Sequence, residues 1–163
     1  LPAFVAASVS DQAKSFEEGG TPDGLAKRIA QLSALTLATE VVLVSERANI
    51  SVEDAARTYF AVLETFQLGH ITEQIQTIEV KDYYDRMALD RAIANLMRAQ
   101  RDITLDVLTF DSADVETGLA AWHEARRDDI ERCREMVAGI TESTLSVSRL
   151  SVAAGLLSDL ARG

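Results

Sequence analysis

The imidazole and thiol side chains of this chain, which can ligate a metal ion or act as a nucleophile, are few: two histidines, His70 and His123, and one cysteine, Cys133. Carboxylate-bridged dimetal sites in helical bundles need inward glutamates and repeated Glu-x-x-His pairs, which place both ligands on one helix face. Neither histidine has a glutamate three residues before it, and the stretch 70–73 has the pair reversed and only once. The pattern disfavours a metal site, and we interpret His70 as a turn or surface residue.

Cys133 could act as a nucleophile only if a base were positioned beside it and its thiol pKa were lowered. Arg132 and Arg134 flank it in sequence, but adjacent residues of a helix point in different directions. Cys133 instead follows the spacing of Ile130 and Val137, which is typical of one buried helix face. We therefore predict a small apolar core residue and no catalytic thiol.

Trp122 could line a ligand pocket, but it is in phase with Val115 and Leu119, and this spacing favours core packing. The stretch 124–129 that follows is polar nearly all round. It is either a solvated helix face or a docking surface for another domain, and the pattern favours the solvated face.

Four further polar residues lie among apolar positions. The hydroxyls of Tyr59 and Tyr84 must each find a partner if they are buried. Gln100 and Arg101 lie within the longest predicted helix, where a buried side chain of either type would anchor the helix register or contact a partner. The sequence leaves these two alternatives open.

The chain contains no recognisable motif for binding a dinucleotide. There is no Gly-x-Gly-x-x-Gly run, no phosphate-loop motif and no alternation of strands with helices. The glycine-rich stretch 18–24 follows a predicted helix and reads as a loop with a helix cap. We accordingly assign no catalytic, cofactor-binding or metal-binding residue to this sequence.

The composition is that of one helical domain. Of 163 residues, 47% are hydrophobic and 26% are charged, and Pro2 and Pro22 are the only prolines. Alanine, leucine, glutamate and arginine, which lose little on entering a helix, are frequent. We predict an all-α fold with residues 1–163 forming a single domain. Because the chain begins at Leu1 without a methionine, we also expect it to be a piece of a longer protein.

The net charge and the cysteine count limit the kinds of binding partner and the cellular compartment that we expect. A net charge of −10 disfavours nucleic acid and anionic membrane surfaces, since phosphate binding needs clustered lysine and arginine. No apolar run approaches the ~20 residues of a membrane helix. With one cysteine an internal disulfide is impossible, and no signal peptide is visible. These features predict a cytoplasmic protein.

The spacing of apolar residues predicts a series of helices. We expect Asn49 to end the helix before it and Gly69 to break or turn the helix that begins at Ser51. Ser51 and Asp82 are expected to cap the starts of helices. The two longest are joined by very few residues, which predicts a long antiparallel helical hairpin. The predicted helices cover residues 2–18, 22–32, 35–47, 51–66, 71–78, 82–108, 112–138 and 145–160.

Several stretches, in the same order and spacing, resemble the C-terminal helical region of the large, NAD-specific bacterial glutamate dehydrogenases. The most informative is Ser51–Phe60; the others are 20–32, 73–82, 98–104, 120–122 and 150–153. Together they span most of the chain. The sequence departs from the usual family pattern at 68–71 and at Glu79.

This resemblance implies a parent enzyme that oxidatively deaminates L-glutamate to 2-oxoglutarate and ammonia and passes hydride to NAD. In that family the catalytic lysine and the dinucleotide fold lie upstream of the helical region, so no catalytic position is carried over. The resemblance implies a non-catalytic C-terminal fragment that supports assembly and contacts other domains and subunits of a homo-oligomer. The alternative is a stand-alone helical module that binds a protein or a regulatory ligand; an independent enzyme is a weaker third.

Overall fold

The computed structural model describes residues 37–75, 77–110, 114–142 and 144–162, and all regular secondary structure in this part of the chain is helical. The predicted helices over 2–18 and 22–32, and the glycine-rich stretch 18–24, lie outside it. The all-α prediction is confirmed for the residues described. In chain order the helices are α1 (37–48), α2 (Val52–Thr65), α3 (Leu68–Ile75), α4 (Tyr83–Val107), α5 (Val115–Ala125), α6 (Arg127–Thr141) and α7 (Val147–Arg162).

The junction between α1 and α2 forms as predicted. Asn49 has a φ of 54°, the left-handed conformation that commonly follows a helix end and that asparagine tolerates better than most residues. The hydroxyl of Ser51 then accepts a hydrogen bond of 3.1 Å from the backbone N–H of Asp54. Because this cap occupies one of the free N–H groups of the first turn, it defines the start of α2.

The break between α2 and α3 lies at Phe66 and Gln67, so the prediction that Gly69 makes it is wrong. The N–H of Gln67 donates to the carbonyl of Glu64, and Gln67 itself takes the left-handed φ of 53°. Gly69 lies inside α3, where a Cβ would meet only Leu63 Cδ2, at 4.0 Å. A glycine is therefore not required at that position.

Helix α4 is the central element and keeps its predicted bounds. The Asp82 side chain accepts a hydrogen bond from the N–H of Asp85, and Leu108 is the C-cap. From Leu89 onward the helix buries one apolar face, and it packs mainly along α7. Each large aliphatic side chain buried on this face contributes about 1.5–3 kcal/mol.

The second arm of the predicted hairpin is not one helix over 112–138. The chain forms α5 and α6 instead, separated by Arg126, whose φ of −123° and ψ of 25° leave the helical range. The carboxylate of Asp114 caps the start of α5, two residues after the predicted start at 112. Since α4 packs mainly on α7, the long antiparallel hairpin stays a prediction.

The core of the described residues has two parts. The larger part includes residues from every helix from α2 through α7, among them Trp122 and Leu157, which are both fully buried. The smaller lies between α1 and α2 around Val41 and Tyr59. None of the described helices is long and apolar enough to cross a bilayer.

Candidate functional site

The two histidines lie on different helices. His70 lies exposed on α3 and His123 lies exposed on α5. Among the described residues, no group of three or more histidine, cysteine, aspartate or glutamate side chains is placed to hold a metal ion. The interpretation of His70 as a surface residue is confirmed.

Cys133 is a core residue, as predicted. Its side chain is buried between α6 and α7, and Sγ lies 3.9 Å from the carbonyl oxygen of Leu156. Burial raises the pKa of the thiol to about 11, because the thiolate would lose its hydration. The thiol is therefore protonated near neutral pH and is a poor nucleophile.

The indole of Trp122 is fully buried, which confirms the core prediction, but its polar end has a specific partner. Trp122 Nε1 donates to Asp106 Oδ2 at 3.0 Å. Arg126 donates to the same carboxylate through two bonds, Nε to Oδ2 at 2.6 Å and Nη2 to Oδ1 at 3.0 Å. The carboxylate on α4 thus holds both the end of α5 and the start of α6, and this bond raises the pKa of Arg126.

Sequence reasoning missed this three-residue group. Asp106 and Arg126 are 20 residues apart and share no local motif. The rest of the stretch 124–129 is exposed and carries a surface ion pair between Arg127 and Glu124, which fits a solvated face and a docking surface for another domain equally. The helix break at Arg126 turns one arginine of that stretch inward.

Two hydrogen bonds, one from Tyr59 and one from Gln100, connect α2 and α4 in opposite directions. The Tyr59 hydroxyl donates to the backbone carbonyl of Met97 at 3.2 Å, and Gln100 Nε2 donates to the backbone carbonyl of Tyr59 at 3.2 Å. Both side chains are buried. Of the two alternatives left open for Gln100, the structure supports an anchor of helix register. Tyr84, by contrast, is exposed.

Arg101 forms the second buried polar contact between α4 and the α1–α2 region. Its Nη1 lies 2.9 Å from Glu40 Oε2 on α1, and both side chains are almost fully covered. The contact is a close ion pair, although Glu40 Oε2 does not meet strict hydrogen-bond geometry. Burial raises the pKa of Glu40 above its ordinary value, and the nearby guanidinium of Arg101 opposes this only in part. Arg101 is thus an internal anchor as well.

A concavity of about 490 Å³ lies against α5 and α6 and includes the side chains of His123 and Arg134. His123 Nε2 is 3.5 Å from the hydroxyl of Thr65. Partial burial lowers the pKa of His123, and the positive charge of Arg134 lowers it further. The walls of this concavity also carry Glu124 and Glu131, interleaved with Arg127 and Arg134.

One apolar surface stands out at the start of α4. Tyr83, Tyr84 and Met87 are 71%, 79% and 43% exposed, and the two tyrosine rings meet edge to face at 6.1 Å. Leu89 is the first buried residue of the helix. The sequence had singled out Tyr84 only for its hydroxyl, and the exposure of its ring needed the tertiary structure.

These features define an all-α domain in which the buried polar side chains, within the part described, bind mostly to other parts of the same chain. The chain belongs to the family described as glutamate dehydrogenase, C-terminal, whose model matches residues 1–159. The resemblance found in the sequence is thereby confirmed.

A relative of this chain is the NAD-specific glutamate dehydrogenase of Pseudomonas aeruginosa, which is 26% identical over 152 residues. The match covers 91% of this chain and 9% of that enzyme, so the chain spans less than a tenth of its relative's length. No solved structure matches this chain.

Proposed function

We propose that this chain is the C-terminal helical domain of an NAD-dependent glutamate dehydrogenase and that it supports the assembly of the catalytic part. The parent enzyme would oxidatively deaminate L-glutamate to 2-oxoglutarate and ammonia, with NAD as hydride acceptor. The observation that carries the proposal is the family match over nearly the whole chain, residues 1–159.

In this proposal residues 1–163 form a single domain, belong to a much longer chain, and include no catalytic, cofactor-binding or metal-binding residue. The internal bonds of the polar groups support it, because Asp106, Gln100 and Arg101 each engage another helix of the described chain. The protonated thiol of Cys133 is consistent with it as well. NAD would bind only to the part of the enzyme outside this chain.

The proposed partners are the other domains and subunits of the same cytoplasmic, homo-oligomeric enzyme. The small share of the relative that the chain matches supports this, since most of such an enzyme would lie outside the domain. Nucleic acid and membrane are not proposed as partners, because the net charge of −10 would repel both phosphate backbones and anionic lipids.

The test compares three proteins: the full-length enzyme, the same enzyme lacking this domain, and the domain alone. We expect glutamate-dependent NADH formation from the full-length enzyme and none from the domain alone. Removal of the domain should reduce the number of subunits in the assembly, as measured by light scattering during size exclusion. It should also reduce the turnover rate. Turnover by the domain alone, or a full-length protein without glutamate dehydrogenase activity, would overturn the proposal.

A further inference from the structure

We infer that the first two turns of α4 form a docking tip, made of Tyr83, Tyr84 and Met87, for an apolar surface elsewhere in the same enzyme. The inference rests on the proposed function, because it takes this domain to be attached to a larger catalytic part. It adds the surface through which the attachment is made and the chemistry of what covers it.

The first argument is clustering. Single exposed apolar residues are normal on a protein surface, whereas a group of them marks a contact site. The three residues of the docking tip fall within five positions of one helix and are at least 43% exposed. The other large apolar side chains exposed in the described chain, Met136 and Val152, lie singly on two other helices, α6 and α7.

The second argument is residue type and rigidity. Tyrosine is enriched where proteins bind each other, because its ring offers a large apolar area and its hydroxyl a hydrogen bond at little entropic cost. The docking tip continues a helix that is buried from Leu89 onward and capped by Asp82. A backbone that is held in place before binding loses less freedom when it binds.

The third argument is charge, and it selects the occupant. Between positions 81 and 91 the chain carries three basic and three acidic side chains, whereas the whole chain has a net charge of −10. A locally neutral surface suits an apolar, near-neutral partner. A second copy of this domain would have to reach the docking tip without a tether in the same polypeptide. A surface tethered in the same polypeptide has a high effective concentration instead, and over nine-tenths of the matched relative lies outside this domain.

The test places the photo-crosslinking amino acid p-benzoylphenylalanine at position 84 of the full-length enzyme, with the same substitution at exposed position 152 as the matched control. After irradiation, mass spectrometry identifies the cross-linked peptides. We expect position 84 to cross-link peptides outside the 163 residues, with a yield several-fold above that of position 152. Cross-links only to residues 1–163, of the same or a second copy, or equal yields at both positions would overturn the inference.

A second measurement uses Tyr83→Ser combined with Tyr84→Ser. Because both side chains are exposed, the isolated domain should unfold at the same urea concentration as the unchanged domain. In the full-length enzyme the double substitution should make the domain more sensitive to limited proteolysis. An active enzyme with unchanged proteolysis would refute the docking tip alone, whereas a full-length protein without glutamate dehydrogenase activity would refute the proposed function.

Discussion

The guanidinium of Arg126 binds both carboxylate oxygens of Asp106, through Nε at 2.6 Å and Nη2 at 3.0 Å. Arg126 lies at the one-residue break between α5 and α6, and Asp106 lies near the end of α4. The pair is only partly exposed, at 28% for the arginine and 18% for the aspartate side chain. It therefore fixes the position of the helix break relative to the central helix.

Arg126→Ala should destabilise the domain by about 1.5–3 kcal/mol, the range for hydrogen bonds to a charged group. The loss arises because the Asp106 carboxylate keeps its bond from Trp122 but loses the two from the guanidinium. Urea unfolding of the purified chain, followed by circular dichroism, measures it. Arg127→Ala is the matched control: Arg127 and Glu124 are 66% and 72% exposed, so the cost should stay below about 0.5 kcal/mol. Equal effects of the two substitutions would contradict the assigned role.

Tyr59→Phe should cost about 1 kcal/mol, because it removes the hydroxyl bond to the Met97 carbonyl and leaves the buried ring in place. Gln100→Leu should cost a similar amount through loss of the bond to the Tyr59 carbonyl. Urea unfolding again provides the comparison. Tyr84→Phe serves as control, since Tyr84 is 79% exposed and its hydroxyl should contribute little. If Tyr84→Phe were as costly as Tyr59→Phe, the reciprocal anchor would not explain the stability.

Glu40→Gln should change how stability depends on pH. Burial raises the pKa of Glu40 above 4.5 in the folded chain, so the folded state favours the protonated form. The stabilising contribution of that proton is fully present below about pH 4.5 and is lost as the pH rises through the higher folded pKa. Relative to the unchanged chain, the free energy of unfolding of Glu40→Gln should therefore rise from pH 4 to pH 7.

Urea unfolding at several pH values measures this difference. Glu46→Gln, at an exposed position of the same helix, controls for the loss of one negative charge. A free energy of unfolding for Glu40→Gln that falls relative to the unchanged chain as the pH rises would show that the ion pair with Arg101 outweighs the burial of Glu40.

The thiol of Cys133 should react slowly with a disulfide reagent in the folded chain. A pKa raised from 9.0 to about 11 lowers the thiolate fraction at pH 8 by roughly 100-fold, and burial slows access further. The rate should rise by at least that factor in urea, when the chain unfolds. Cys133→Ala should show no labelling in either state. Similar rates with and without urea would mean that the thiol is accessible in the folded chain.

Much of the local structure was predictable because its determinants lie within four residues of one another. Ser51 and Asp82 cap helices through bonds to the N–H three residues ahead, and such caps are readable in a sequence. The burial of Trp122 and Cys133 followed from helical spacing. The family resemblance followed from the order of short stretches along the chain.

The wrong predictions concern backbone choices that local pattern does not decide. Gly69 was expected to end a helix, yet Gln67 takes the left-handed conformation. The stretch 112–138 reads as one continuous helix because no proline interrupts it, yet the chain breaks at Arg126. The bonds from Arg126 to Asp106 are the tertiary contact that accompanies this break.

The sequence by itself determined the helical class of the described residues, the bounds of α2 and α4, and the family, since each depends on short-range spacing and composition. The tertiary structure decided which polar side chains became partners: Arg126 with Asp106, Gln100 with the Tyr59 carbonyl, Arg101 with Glu40. It also decided that Tyr83 and Tyr84 remain exposed. The physical reason is that these relationships join residues from 20 to more than 60 positions apart, or depend on where the core ends, and neither is encoded in a helical repeat of 3.6 residues.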